Sequence, residues 1–131
     1  MKNQATILLV DDDVQFLRAL HTALSSAGYT VAAAADPRAA LVYIVEMKQR
    51  FDLIITDVQM LAIDGLRLLQ LIKVNIPHVP IIVITAFGGA QTQAQSLASG
   101  ASAFLAKPFS KNEIVSAVEQ ALQTARKEIQ P

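Results

Sequence analysis

Three short apolar runs, Ile7 to Val10, Leu53 to Ile55 and Ile81 to Ile84, show no polar alternation and are rich in β-branched residues. A strand with one wet face alternates apolar and polar positions, so an unbroken apolar run predicts a strand covered on both faces, as in a parallel sheet. Thr30 to Ala34 and Ser102 to Ala106 are weaker strand candidates whose small residues suit sheet edges. Between the runs the apolar spacing becomes helical: Phe16, Leu17, Leu20 and Leu24 make one face, Leu41, Ile44 and Val45 a second, and Leu66, Leu69 and Ile72 a third. Gln91 to Ala98 is the weakest of the helical segments, and Ile114, Val118 and Leu122 line a fifth helix.

The boundaries carry their own signals. Asp36-Pro37 offers an N-cap followed by proline at the first helical position, and Gly28 stands where a helix ends. Asp13 suits the cap of the first helix, and Ser110 with Glu113 forms a capping box ahead of the last. The order is strand then helix, five times. Crossovers of that size predict an α/β fold: a doubly wound five-stranded parallel sheet with helices on both faces. All parallel strands end on one edge, so residues that follow each run meet there in space. Candidate chemistry belongs at that edge.

Composition narrows the function classes. A chain of 131 residues suits a single domain over 1–131, with a core from about 6 to 125. Eleven basic and eleven acidic residues balance, which argues against charge-driven binding to nucleic acid or to anionic membrane. Zero cysteines remove disulfides, thiolate nucleophiles and cysteine metal sites. The polar opening MKNQAT fits no signal peptide and no apolar run approaches a membrane span, so a cytoplasmic protein is expected.

After the first strand come Asp11, Asp12 and Asp13; the third ends in Asp57; the fourth ends in Thr85; Lys107-Pro108 follows the fifth. The second contributes only alanines, which suits an edge position and the order 2-1-3-4-5. Like charges about 4 Å apart repel by roughly 4 kcal/mol at an effective dielectric near 20. Three carboxylates facing one lysine therefore call for a further cation. Hard carboxylate oxygens without histidine or cysteine favour Mg²⁺, which keeps several waters and bridges to phosphate. A lysine and a threonine hydroxyl suit phosphoryl oxygens.

In these residues the chain resembles the response-regulator receiver domain of bacterial two-component systems, over roughly residues 6 to 125. The family's acidic pair, phosphoacceptor aspartate, Ser/Thr and Lys-Pro read here as LLVDDD, LIITDVQM, IVITA and FLAKPF. Each alone is a weak signal; four in order at receiver-like spacing form a strong one. The resemblance implies a flavodoxin-like fold with Asp57 as phosphoacceptor. It further implies Mg²⁺ (or Mn²⁺) held by Asp12, Asp57 and the backbone carbonyl of Gln59, with Asp11 acting through water. Thr85 and Lys107 would hold phosphoryl oxygens, and Phe104 would be the aromatic that turns inward on activation. The implied partners are a sensor histidine kinase or phosphotransfer protein as donor, and a downstream output protein or domain. The expected role is a signalling switch that promotes only its own phosphorylation and dephosphorylation, and not an enzyme acting on other substrates.

Departures from the pattern are local. The family's Met-Pro after the phosphoacceptor is Met60-Leu61 here, with Asp64-Gly65 retained. Gln59 and Phe87 occupy positions that tune phosphoryl lifetime in the family, and a bulky Phe87 predicts slow autodephosphorylation. Val74 to Ala106 holds no Asp, Glu, Lys or Arg, which argues against dimerisation through salt bridges on the fourth helix. His21 and His78 lack ligand-spaced partners and read as structural. In receivers the Lys-Pro bond is typically cis, so the state of Lys107-Pro108 is diagnostic. A flavin carrier would want a Ser/Thr/Gly-rich phosphate loop where three aspartates stand. An aspartyl phosphatase would want a second acid two residues after the nucleophile, where Gln59 stands. The serious rival is a pseudo-receiver, a phosphorylation-independent interaction module on the same fold. The last helical pattern runs through Glu128 toward Pro131. A stand-alone regulator and a receiver joined to an output domain both fit that ending.

Overall fold

The computed structural model describes residues 5–59, 65–86 and 89–129. Met60, Leu61, Asp64 and Phe87 lie outside the described residues, and the expectations attached to them rest on the sequence alone. The chain alternates β1 (Thr6–Val10), α1 (Val14–Ser26), β2 (Thr30–Ala34), α2 (Pro37–Leu41), β3 (Leu53–Asp57), α3 (Gly65–Asn75), β4 (Ile81–Thr85), α4 (Ala90–Ala98), β5 (Ala103–Ala106) and α5 (Lys111–Ile129). Five parallel strands lie in the order β2-β1-β3-β4-β5, the order expected.

The unbroken apolar runs become the three central strands because both of their faces are covered. Ile7, Leu9, Leu53, Ile55, Ile82 and Ile84 join Leu17, Leu20 and Leu24 of α1 and Ile114, Val118 and Leu122 of α5 in one core. The alternate residues Leu8, Val10, Ile54, Ile81 and Val83 join Ala40 of α2 and Leu68, Leu69 and Ile72 of α3 in a second. Successive side chains of a strand point to opposite faces, so each run feeds both cores. The partly exposed strands β2 and β5 stand at the edges.

Helix ends follow their capping residues. The Asp13 carboxylate accepts from the Phe16 N–H at 3.1 Å, and that of Asp36 from the Ala39 N–H at 2.8 Å ahead of Pro37. At α5 the Ser110 hydroxyl oxygen accepts from the Glu113 N–H at 3.1 Å, and the Glu113 carboxylate from the Ser110 N–H at 2.8 Å. Gly28 ends α1 with φ of 101°. The second helix departs from expectation: after Leu41 it widens into a π turn over Val42–Glu46, with the Met47 N–H bonded back to the Val42 carbonyl. The extra residue in that turn breaks the 3.6 spacing, so Ile44 is buried while Val45, expected beside it, is exposed.

Candidate functional site

Register places the chemistry. Val10 pairs with Thr56, Asp57 with Ile84, and Thr85 with Ala106, so Asp11, Asp57, Thr85 and Lys107 follow one another across the carboxyl edge. The Lys107 N–H donates to the Thr85 carbonyl at 2.9 Å and carries the ladder one residue beyond β5. From there the lysine side chain crosses the edge. Its ammonium donates to Asp11 Oδ2 at 2.7 Å and to Asp57 Oδ2 at 2.9 Å. The Lys107–Pro108 bond is cis.

Both carboxylates are buried, Asp11 at 1% exposure and Asp57 at 5%. Their other oxygens accept backbone donors: Asp11 Oδ1 from the Asp13 N–H at 2.9 Å, Asp57 Oδ1 from the Gln59 N–H at 2.7 Å. Burial pushes the Asp11 carboxyl above its ordinary range, and the Lys107 and Asp13 hydrogen bonds offset this only in part. For Lys107, burial pulls downward but the hydrogen bonds to both aspartates prevail, leaving its ammonium above the usual lysine value.

The three consecutive aspartates thus divide their labour. Asp11 points inward to the lysine, Asp12 is exposed, and Asp13 caps α1. Thr85 is fully buried at the end of β4. Phe104 lies half-buried on β5 against the core shared with α2 and α3. His21 shares a hydrogen bond with Ser25 on α1, at 3.3 Å, as a structural histidine would, and His78 is exposed. One neighbour was read from the sequence only as helix face: the Phe16 ring, whose centroid lies 4.1 Å from the Lys107 ammonium and which meets Phe109 edge-on. Its position in the first turn after the Asp13 cap was the available signal.

Among the described residues, no three Asp, Glu, His or Cys side chains gather into a metal-holding group. Mg²⁺ does not require such a cluster: one or two carboxylates, a carbonyl and waters suffice. The donor set at this edge, hard oxygens with no histidine or thiolate beside them among the described residues, fits such an ion. A groove of about 650 Å³ lies elsewhere, lined by Lys73, His78, Ser102, Ala117, Gln120 and Thr124. No helix among the described residues is long and apolar enough to cross a membrane.

An open, doubly wound parallel sheet with a buried acid pair and a lysine meeting at its carboxyl edge defines a flavodoxin-like domain with an anionic strand-end site. The chain belongs to the response regulator receiver domain family, which matches residues 7–119. It is 37% identical over 116 residues to the transcriptional regulatory protein ZraR of Escherichia coli (strain K12), a match covering 88% of this chain and 26% of that protein. To the response regulator protein FleR of Pseudomonas aeruginosa it is 34% identical over 114 residues, covering 87% of this chain and 24% of FleR. The chain therefore spans about a quarter of the length of these relatives. Among solved structures, the CheY-like receiver domain protein of Methanospirillum hungatei JF-1 superposes with a TM-score of 0.90 at 27% identity, covering 96% of this chain and 99% of that one. NtrX of Brucella abortus gives 0.87 at 32% identity, covering 95% of this chain and 28% of NtrX.

Proposed function

We propose that the chain is a phosphorylation switch whose Asp57 carboxylate accepts a phosphoryl group. The observation that carries this reading is the pair of buried carboxylates, Asp11 and Asp57, drawn together by a single ammonium. Burying like charges side by side is unfavourable, and a fold that keeps them has a use for them. Asp57 Oδ attacks phosphorus, the O–P bond forms, and the bond from phosphorus to the donor's imidazole nitrogen breaks with the electron pair leaving on the imidazole. Positioning and charge stabilisation suffice for such a transfer, and no separate base is needed. Asp12, Asp57 and the Gln59 carbonyl would hold Mg²⁺ or Mn²⁺, with Asp11 acting through water; the ion supplies positive charge against the phosphoryl oxygens. Lys107 and the Thr85 hydroxyl hold the remaining oxygens.

The donor is a phosphohistidine on a sensor kinase or phosphotransfer protein, and the product switches a surface read by an output protein or domain. Thr85 is drawn toward the new charge, and Phe104 turns into the space it vacates. The chain promotes its own phosphorylation and dephosphorylation and acts on no other substrate. The test is the intact mass of the protein and of Asp57→Asn after incubation with acetyl phosphate, with and without Mg²⁺. A Mg²⁺-dependent gain of one phosphoryl group, absent in the variant, is expected. A folded protein that gains nothing is a phosphorylation-independent interaction module instead.

A further inference from the structure

An ammonium has three N–H donors and Lys107 spends two of them on Asp11 and Asp57. The remaining side of the charge faces the Phe16 ring, 4.1 Å from its centroid. An aromatic face carries negative potential and attracts a cation, more strongly where water is thin, and the Lys107 side chain is only 13% exposed. The ring is itself fixed from two directions. Its backbone N–H is the one that the Asp13 cap accepts, at 3.1 Å, which sets the first turn of α1. Phe109, two residues beyond Lys107, meets it edge-on with centroids 5.6 Å apart and planes at 85°. Phe16 therefore ties the start of α1 to the loop that carries the lysine.

We propose that Phe16 is a positioning residue: its ring face holds the Lys107 ammonium over the Asp11–Asp57 pair and so sets the rate of phosphoryl transfer without touching the phosphoryl group. A free lysine stem samples many rotamers, and a charge spread over them is seldom where the moving group needs it. The effect on rate rests on the phosphoacceptor reading; the hold on Lys107 does not. Simple packing is the competing account, since Phe16 also borders the core shared by α1 and α5.

Three replacements separate the two accounts: Phe16→Leu keeps an apolar side chain and removes the ring, Phe16→Tyr keeps the ring, and Phe16→pentafluorophenylalanine keeps the shape and reverses the charge on the face. Each is assayed for the initial rate of phosphorylation by acetyl phosphate at saturating Mg²⁺, and for the ring-current displacement of the Lys107 ε-protons by NMR. The Leu and pentafluoro variants are expected to slow phosphorylation about two- to thirty-fold, while Tyr stays close to the parent protein. The ε-protons should resonate upfield in the parent and Tyr proteins and lose that displacement in Leu, where the ring is gone, and in the pentafluoro protein, where the ring stays but no longer attracts the ammonium. A pentafluoro variant as fast as the parent, or one whose ε-protons stay displaced as in the parent, overturns the proposal in favour of packing. If the parent protein takes up no phosphoryl group, the phosphoacceptor reading fails instead, and the hold on Lys107 is decided by the NMR displacement, which needs no donor.

Discussion

At Asp11 burial and charge are in opposition. The carboxyl is 1% exposed and its proton affinity is raised by desolvation first, with Lys107 and the Asp13 N–H pulling the other way. A folded-state pKa above 3.8 means that the fold favours the protonated acid, so the ionised carboxylate destabilises the protein at neutral pH. That cost is relieved as pH falls through the raised value and is gone below the unfolded one. Asp11→Asn keeps an acceptor for the Asp13 N–H and leaves Lys107 paired with Asp57. It should raise the melting temperature of the metal-free protein at pH 7, by about 4 °C for each kcal/mol relieved. The gain should shrink toward pH 4, where Asp11 itself takes up a proton. Melting curves in chelator at the two pH values decide it, and a lower melting temperature at pH 7 sinks the argument. The sequence placed three acids at this edge and singled out Asp13 as the helix cap, which the structure bears out, but residue type alone did not show that Asp11 is the one that meets Lys107. Which of three adjacent aspartates turns inward depends on loop geometry, which residue type does not encode.

Among the helices, α4 is held least firmly. Its single buried residue is Ser96, whose hydroxyl donates back to the Thr92 carbonyl at 2.8 Å, and its largest apolar side chain, Leu97, is 44% exposed. At its start Gly89 has no side chain to cap with and open space around it; at its end Gly100 has φ of +113° and lies against the Lys73 stem. The two glycines should respond oppositely. Gly89→Ser supplies an N-cap oxygen and should stabilise by a few tenths of a kcal/mol. Gly100→Ala puts a Cβ 3.0 Å from Lys73 Cγ in the left-handed region and should destabilise by roughly 1–2 kcal/mol. Urea titrations of both variants measure this, and equal effects would contradict it. The same scarcity of apolar contacts made α4 the least legible helix in the sequence, whereas β1, β3 and β4 were plain from unbroken apolar runs. The capping box at Ser110 and Glu113 was equally plain, because local pairing alone specifies it. The π turn was not legible, since Leu41, Ile44 and Val45 are consistent with an ordinary helix until an extra residue enters the turn. Phe16 was legible as helix face but not as a neighbour of Lys107, since that contact needs side-chain directions from two distant segments.

On the scale of the whole molecule, two apolar cores on either side of the sheet support one edge where like charges are concentrated. Net charge is zero, with eleven acids against eleven bases, so the protein as a whole has little general affinity for cations. A divalent ion should therefore act through this edge. An ion that binds the folded chain and not the unfolded one stabilises by RT ln(1 + [L]/Kd), about 2.7 kcal/mol at one hundred times Kd. At about 4 °C per kcal/mol that is a rise of roughly 10 °C in melting temperature. Asp57→Asn should lose most of this rise while starting from a metal-free stability no lower than the parent's, because it removes one of the repelling carboxylates. NaCl at matched ionic strength should reproduce little of it, since salt screens buried charges such as Asp11 and Asp57 far less than exposed ones. Thermal melts of the two proteins across a Mg²⁺ titration, with NaCl controls at matched ionic strength, read these expectations together. An Asp57→Asn protein that gains as much from Mg²⁺ as the parent would move the ion away from the strand ends, whereas loss of the gain would tie metal binding, fold stability and the Asp57 carboxylate to one place.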